Sequence, residues 1–150
     1  MTDNIAASDT AQKIAHRCAQ KMFKADQASH GLGINIDKIS PGSATLSMTI
    51  TDKMLNGHQT CHGGYIFTLA DSAFAFACNS YNKTTVAAGA DISFLHPVLV
   101  GEELTATAVE KHRAGRSGVY DVAVTNSQNK VVALFRGKSR TISDKGVLDV

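Results

Sequence analysis

The chain has 150 residues, 43% of them apolar, and a formal net charge of +2. This size suits a single domain, residues 1–150, with one core. With so small a charge and no basic run, we expect no nucleic-acid partner. No run of eighteen apolar residues occurs, so we expect no membrane span. The three cysteines are scattered and the N-terminus lacks an apolar stretch, which predicts a cytoplasmic protein without disulfides.

The first predicted element is an amphipathic helix over residues 11–25, where apolar residues recur at helical spacing. Asp9 and Gln12 have the spacing of an N-cap and its reciprocal partner. Gly31 and Gly33 suit the end of the helix. We therefore predict a helix that begins near Asp9 and packs one face on the rest of the chain.

Strands are predicted on both sides of a second helix, because apolar and polar residues alternate there with a period of two. The connections are short, which favours antiparallel neighbours. Strands grouped together without alternating helices argue for an α+β fold with an antiparallel sheet. The predicted strands cover residues 34–38, 43–51, 88–95, 104–110, 119–125 and 131–142, and residues 143–150 are predicted to be a flexible tail.

The second helix, over residues 64–79, is apolar nearly all round, which is typical of a buried helix. Asp71 is the one charged residue within it, and a buried carboxylate is costly unless something pairs with it or uses it. The structural interpretation is a partner elsewhere in the core, such as an arginine. The functional interpretation is a catalytic carboxylate.

Gly63 and Gly64 precede this helix, whose first N–H groups lack internal partners and carry a partial positive charge. Such a start can stabilise an oxyanion, although a glycine pair can also be a simple turn. Asp71 lies eight residues beyond Gly63, roughly 12 Å along the helix axis. If both groups serve one reaction, they must come from two subunits, which predicts a homodimer with shared active sites.

Other kinds of site are weakly supported. His58 and His62 flank Cys61, but neighbouring glycines disfavour helical phasing and no further ligands complete a metal site. Ser72 has no nucleophile-elbow motif around it, and residues 31–33 lack the third glycine of a dinucleotide-binding fingerprint. No metal is therefore expected. Basic residues that could contact phosphates, or could simply be solvated, are Lys83, Arg113, Arg116, Arg136, Lys138 and Arg140.

A long, ordered set of motifs resembles the PaaI-type thioesterases of phenylacetate degradation. The strongest is residues 54–64 (MLNGHQTCHGG), continued by residues 69–71 (LAD). Further matching segments are residues 77–80 (ACNS), 91–97 (DISFLHP), 104–108 (LTATA), 118–121 (GVYD) and 132–139 (VALFRGKS). The likeness covers about residues 20–142. His96 departs from it, since many relatives have arginine there.

The resemblance implies a hotdog fold, in which a curved antiparallel sheet wraps a long central helix, and a homotetramer built from dimers that share active sites. It implies that Asp71 is the nucleophile or general base and that the Gly63 N–H polarises the thioester carbonyl. His62 and Asn56 fall at positions that line or support the site. Coenzyme A is part of the substrate, and no separate cofactor is implied.

The predicted activity is hydrolysis of aryl-acetyl-CoA thioesters, such as phenylacetyl-CoA or its ring-hydroxylated forms, to the free acid and CoA. Two alternatives stay open. A hotdog acyl-CoA hydratase would use His62 and Asp71 to move two protons, and a non-catalytic protein would only bind acyl-CoA. The motif matches thioesterases better than hydratases.

Overall fold

The computed structural model describes residues 2–149, and the side chains of residue 7 and residues 10–149. Within that range the chain forms helices packed on one antiparallel sheet, which confirms the α+β class. The helices are α1 (Thr2–Ala25), α2 (Gln27–Gly31) and α3 (Gly63–Cys78). The strands are β1 (Asn35–Ser40), β2 (Ser43–Thr49), β3 (Thr84–Phe94), β4 (Glu103–Ala114), β5 (Ser117–Thr125) and β6 (Val131–Ser143).

Helix α1 contains the predicted residues 11–25 but begins at Thr2. The prediction that Asp9 caps it is therefore wrong, because the residues before Asp9 include two alanines and no glycine or proline, and the helix runs through them. Gln12 instead donates from Nε2 to the carbonyl oxygen of Ile39 at 2.6 Å, which ties α1 to β1.

The short helix α2 was not predicted. Asp26 caps it by accepting a hydrogen bond from the Ser29 N–H at 3.0 Å. From the sequence, the glycines that follow were interpreted only as the end of the first helix, so this second N-cap was missed. Gly33, at φ 68°, then turns the chain into β1.

The six strands follow the order β1-β2-β4-β5-β6-β3, and every neighbouring pair is antiparallel. The pairs β4–β5 and β5–β6 are joined by short turns, as the sequence predicts. Strand β3 instead crosses over to pair with β6, so the chain places it at an edge of the sheet. That position leaves most of β3 exposed, including Val86 at 42% and Phe94 at 52%.

Helix α3 packs one face on the concave side of the sheet. The buried residues of this face are Ile66, Leu69, Ala70, Ala73, Phe74, Phe76, Ala77 and Cys78. They meet inward-facing residues of β2, β4, β5 and β6 to form the main core. The other face of α3 is only partly covered, so within one chain the predicted buried helix is buried on one face. We call this uncovered surface the open face; it contains Gly64, Thr68, Asp71, Ser72 and Ala75.

The contact between Gly137 and the ring of Phe74 should be sensitive to a single methyl group. A Cβ at Gly137 would lie 2.8 Å from Phe74 Cε2, closer than side chains pack. We expect Gly137→Ala to lower the free energy of unfolding by about 1–3 kcal/mol, since an overpacked core must shift. Gly89→Ala is the matched control, because a Cβ added at Gly89 would meet nothing within 4 Å. Urea denaturation of both variants tests this, and equal losses would contradict it.

Residues after β6 make specific contacts. The Leu148 N–H donates to Asn82 Oδ1 at 2.9 Å, and the Gly146 N–H donates to Asp149 Oδ2 at 2.7 Å. These bonds anchor the 3₁₀ turn Val147–Asp149. The expected flexibility of residues 143–150 stays a prediction. None of the helices in residues 2–149 is both long and apolar enough to cross a membrane.

Candidate functional site

The start of α3 is arranged so that one backbone donor is left over. His62 is the N-cap residue, and its Nδ1 accepts a hydrogen bond from the Gly64 N–H at 2.9 Å. The Tyr65 N–H donates to the His62 carbonyl oxygen at 3.0 Å. Among the hydrogen bonds of residues 2–149, the Gly63 N–H has no acceptor. This donor lies at the positive end of the helix dipole, where a ligand oxygen would be stabilised.

The loop that leads into α3 is organised by Asn56. Its Oδ1 accepts hydrogen bonds from the His58 N–H at 2.9 Å and the Thr60 N–H at 3.2 Å. The Asn56 N–H in turn donates to the Thr60 carbonyl oxygen at 2.8 Å. The side-chain oxygen of Asn56 thus shapes the loop, and Asn56 lines the pocket at the start of the helix.

An open pocket of about 400 Å³ surrounds the start of α3. Asn56, Gly63, Phe94 and His96 are among its lining residues. The Phe94 ring lies close to Gly63: a Cβ added at Gly63 would be 2.7 Å from Phe94 Cζ. Sequence reasoning missed Phe94, because the pairing that brings the end of β3 beside α3 is long-range and has no local signal.

Asp71 lies half-buried on the open face of α3, two turns beyond Gly63. Its carboxylate has no hydrogen-bond or salt-bridge partner among the described residues, so the structural interpretation of a core ion pair finds no support there. Burial raises the pKa of the Asp71 carboxyl above the ordinary value of an aspartate. A carboxylate that is partly desolvated and unpaired is typical of a functional group.

One chain brings Gly63, His62 and Asn56 together but not Asp71. Eight residues of helix separate Gly63 from Asp71, a rise of roughly 12 Å. Asp71 is also not among the residues lining the pocket at Gly63. The two groups therefore cannot act on one carbonyl carbon within a single subunit.

The remaining candidates take ordinary structural positions. His62 caps α3, His58 is exposed, and no group of three possible metal ligands occurs among the described side chains. Arg136 pairs with Asp121 at 2.6 Å on the outer face of the sheet, and Arg116 pairs with Asp144 at 3.2 Å. Lys138 and Arg140 are exposed on β6.

Known proteins resemble this chain over most of its length. A family model described as the thioesterase superfamily matches residues 58–133, which include the start of α3 and Asp71. The chain belongs to the thioesterase superfamily. It is 50% identical to the acyl-coenzyme A thioesterase PaaI of Escherichia coli over 124 residues, 83% of this chain and 89% of that protein.

Solved structures show the same architecture. That of the E. coli PaaI protein matches with a TM-score of 0.87 at 48% identity, covering 88% of this chain and 96% of that one. A variant of the phenylacetic acid degradation protein PaaI from Thermus thermophilus matches with a TM-score of 0.75 at 33% identity, covering 78% of this chain and 100% of that one. A Streptococcus mutans protein bound to acetyl CoA matches with a TM-score of 0.72 at 26% identity, covering 75% of this chain and 90% of that one. The predicted hotdog fold and thioesterase family are confirmed.

Proposed function

We propose that this protein hydrolyses aryl-acetyl-CoA thioesters, such as phenylacetyl-CoA, to the free acid and CoA. The observation that carries the proposal is the pair of unsatisfied groups on α3, the Gly63 N–H and the Asp71 carboxylate. Hydrolysis of a thioester needs a donor for the carbonyl oxygen and a base or nucleophile, and these two groups supply both. The PaaI relatives support the acyl-CoA class by name and the aryl-acetyl group through phenylacetic acid degradation.

In the proposed reaction the thioester oxygen accepts a hydrogen bond from the Gly63 N–H, and the helix dipole stabilises the developing charge. The Asp71 carboxylate of the partner subunit either takes a proton from a water that attacks the carbonyl carbon or attacks that carbon itself. The carbon–sulfur bond then breaks and CoA leaves as a thiolate. By the second route, water must afterwards hydrolyse a mixed anhydride.

A homodimer is part of the proposal, because one chain cannot bring Gly63 and Asp71 together. The exposed edge of β3 supports it. Edge strands that present apolar side chains and unpaired backbone groups invite pairing with another chain, and β3 is eleven residues long with Val86 and Phe94 exposed. The other edge strand, β1, is shorter, with six residues.

The open face of α3 also supports a dimer. Its residues Gly64, Thr68, Ser72 and Ala75 are small, so a second α3 could approach closely in the opposite direction. Such an arrangement brings Gly63 of each subunit toward Asp71 of the other and creates two sites. A second exposed apolar patch, with Val109 at 43% and Leu134 at 49% on the outer face of the sheet, supports the further assembly into a tetramer.

His62 and Asn56 have supporting roles in this proposal. His62 holds the first turn of α3 through its bond to the Gly64 N–H, and Asn56 shapes the loop before it. No separate cofactor takes part. A cytoplasmic location completes the proposal, and the three free thiols of Cys18, Cys61 and Cys78 support it.

Release of free thiol from a panel of acyl-CoAs tests the activity. We expect phenylacetyl-CoA and hydroxyphenylacetyl-CoA to be cleaved with a higher kcat/KM than acetyl-CoA or hexanoyl-CoA. The aryl group can pack against apolar residues near Gly63, among them Ile66 and Phe94. Equal kcat/KM values for all four acyl-CoAs would contradict the aryl-acetyl assignment. Tight binding without thiol release would favour the non-catalytic alternative, and hydration of crotonyl-CoA would favour the hydratase.

A further inference from the structure

A second, smaller cavity lies at the opposite end of α3 from Gly63. It has a volume of about 50 Å³ and is lined by Cys78, the last residue of the helix, and by the turn between β4 and β5. The ends of β3 and β6 complete its wall. Since α3 has sixteen residues, this cavity is roughly 22 Å along the helix axis from Gly63. It is therefore separate from the pocket described above.

The hydroxyl group of Ser139 is a donor that faces this cavity without a partner in the part of the chain that the structure describes. Ser139 is only 6% exposed, lines the cavity, and has no hydrogen-bond partner among the described residues. Opposite it on β5 is Gly118, which has no side chain to offer one. Nearby, Thr85 Oγ1 donates to the Lys83 carbonyl oxygen at 2.9 Å and lies 3.1 Å from Thr141 Oγ1. No fully buried side-chain polar atom of the described residues lacks a hydrogen-bond partner, so the unpaired Ser139 hydroxyl is open to the cavity, where it can meet a ligand or water.

Three cations line the same cavity: Lys83, Arg113 and Arg116. Two carboxylates oppose them. Asp144 pairs with Arg116 at 3.2 Å, and Glu110 lies 3.7 Å from Arg113 Nε. Lys83 has no carboxylate partner among the described residues. The surroundings of the cavity are therefore net positive.

Glu110 itself is already satisfied. Its Oε2 accepts hydrogen bonds from Tyr81 Oη at 2.9 Å and Tyr120 Oη at 2.8 Å. The guanidinium of Arg113 lies over the Tyr81 ring, 3.6 Å from its centroid. These contacts hold Arg113 in place beside the cavity. The donors left to meet a ligand are the Lys83 ammonium and the Ser139 hydroxyl, with Arg116 available if it shares its bonds with Asp144.

We propose that this cavity binds a phosphate-type oxyanion, with Lys83 and Ser139 as its principal donors. A small volume, several hydroxyl and cationic donors and a positive balance of charge fit a tetrahedral anion better than a cation or an apolar group. The cavity is large enough for one such group in place of a few waters.

The oxyanion can come from two sources. One is inorganic phosphate, whose binding does not depend on the proposed thioesterase activity. The other is a phosphate of CoA, which does rest on that activity. Seven residues of helix separate Asp71 from Cys78, roughly 10 Å, and an extended pantetheine arm can span that distance from a thioester at Asp71.

Thermal unfolding with added ligands tests the site without any substrate turnover. We expect inorganic phosphate to raise the Tm of the wild type above that in chloride at equal ionic strength. Ser139→Ala and Lys83→Ala should each weaken phosphate binding about tenfold or more, since each removes a hydrogen bond to a charged group. Lys138→Ala is the matched control. Lys138 is next to Ser139 but exposed on the other face of β6, so its loss should change nothing.

Titration with CoA and 3′-dephospho-CoA identifies the source. If CoA displaces bound phosphate and 3′-dephospho-CoA does not, the cavity recognises the 3′-phosphate of CoA. If neither displaces it, the cavity is an independent phosphate site. A wild-type Tm that responds no more to phosphate or CoA than to chloride overturns the proposal, as does equal binding by the wild type, Ser139→Ala and Lys83→Ala. Phosphate binding in a protein that releases no thiol would refute only the proposed thioesterase function.

Discussion

Replacing Asp71 with asparagine is expected to lower kcat for aryl-acetyl-CoA hydrolysis on the order of a thousandfold, because both base catalysis and positioning are lost. The change keeps the shape of the side chain and removes only its charge and basicity. Burial raises the pKa of Asp71, which means that the charged carboxylate is less favourable in the folded protein than in the unfolded chain. Removing that charge should therefore leave the folded protein at least as stable at neutral pH. Thiol release measures the first effect and urea denaturation the second.

The pH dependence of the wild-type rate reports on the same group. Asp71 acts only when it is ionised, so activity should fall as the pH is lowered through its pKa. Because that pKa is raised, the fall should come at a higher pH than for an ordinary aspartate.

Asp37→Asn, which removes a carboxylate on β1, is the charge-matched control for Asp71→Asn and should keep full activity. An active Asp71→Asn enzyme would eliminate Asp71 as the base or nucleophile.

Replacing Gly63 with proline is expected to lower kcat about a hundredfold to a thousandfold, because it removes the one N–H proposed to hold the thioester oxygen. The backbone tolerates proline there. Gly63 is the first residue of α3, where proline is favoured, and His62 before it has the extended conformation that a following proline requires (φ −60°, ψ 132°).

Gly63→Ala separates the loss of the N–H from the effect of added bulk. Both variants place a carbon near Phe94 Cζ, but only proline removes the donor. The Phe94 ring is half exposed and can shift. We expect alanine to lower kcat much less than proline, and equal losses would show that crowding, not the hydrogen bond, is responsible.

Mixing the two inactive variants tests whether the sites are shared between subunits. A heterodimer of Asp71→Asn and Gly63→Pro chains has one site with both groups intact and one site with neither. After unfolding and refolding an equal mixture, about a quarter of the wild-type activity should return, because half of the dimers are mixed and each has one working site. No recovery, with mixed dimers shown to form, would contradict the shared site.

Local sequence patterns predicted the individual elements of this protein well. Alternation in β2 and β4–β6 and the apolar run of α3 depend on neighbouring residues, so each segment could be interpreted by itself. Asp71 and Gly63 could be selected for the same reason, since a lone charge in an apolar helix and glycines at its start are visible in one segment. The errors were also local: Asp9 resembles a cap, yet the helix continues through it.

The sequence therefore predicted the two long helices, most of the strands and the candidate pair of Gly63 and Asp71. The proposal of a second subunit also came from the spacing of that pair along the helix. Three features emerge only from the folded chain: β3 crosses to the edge beside β6, Phe94 covers Gly63, and one face of α3 stays open. The cavity that holds Ser139 and Lys83 together is a fourth. The physical reason is that these features depend on hydrogen bonds and packing between residues far apart in the chain, for which periodicity and spacing carry no signal.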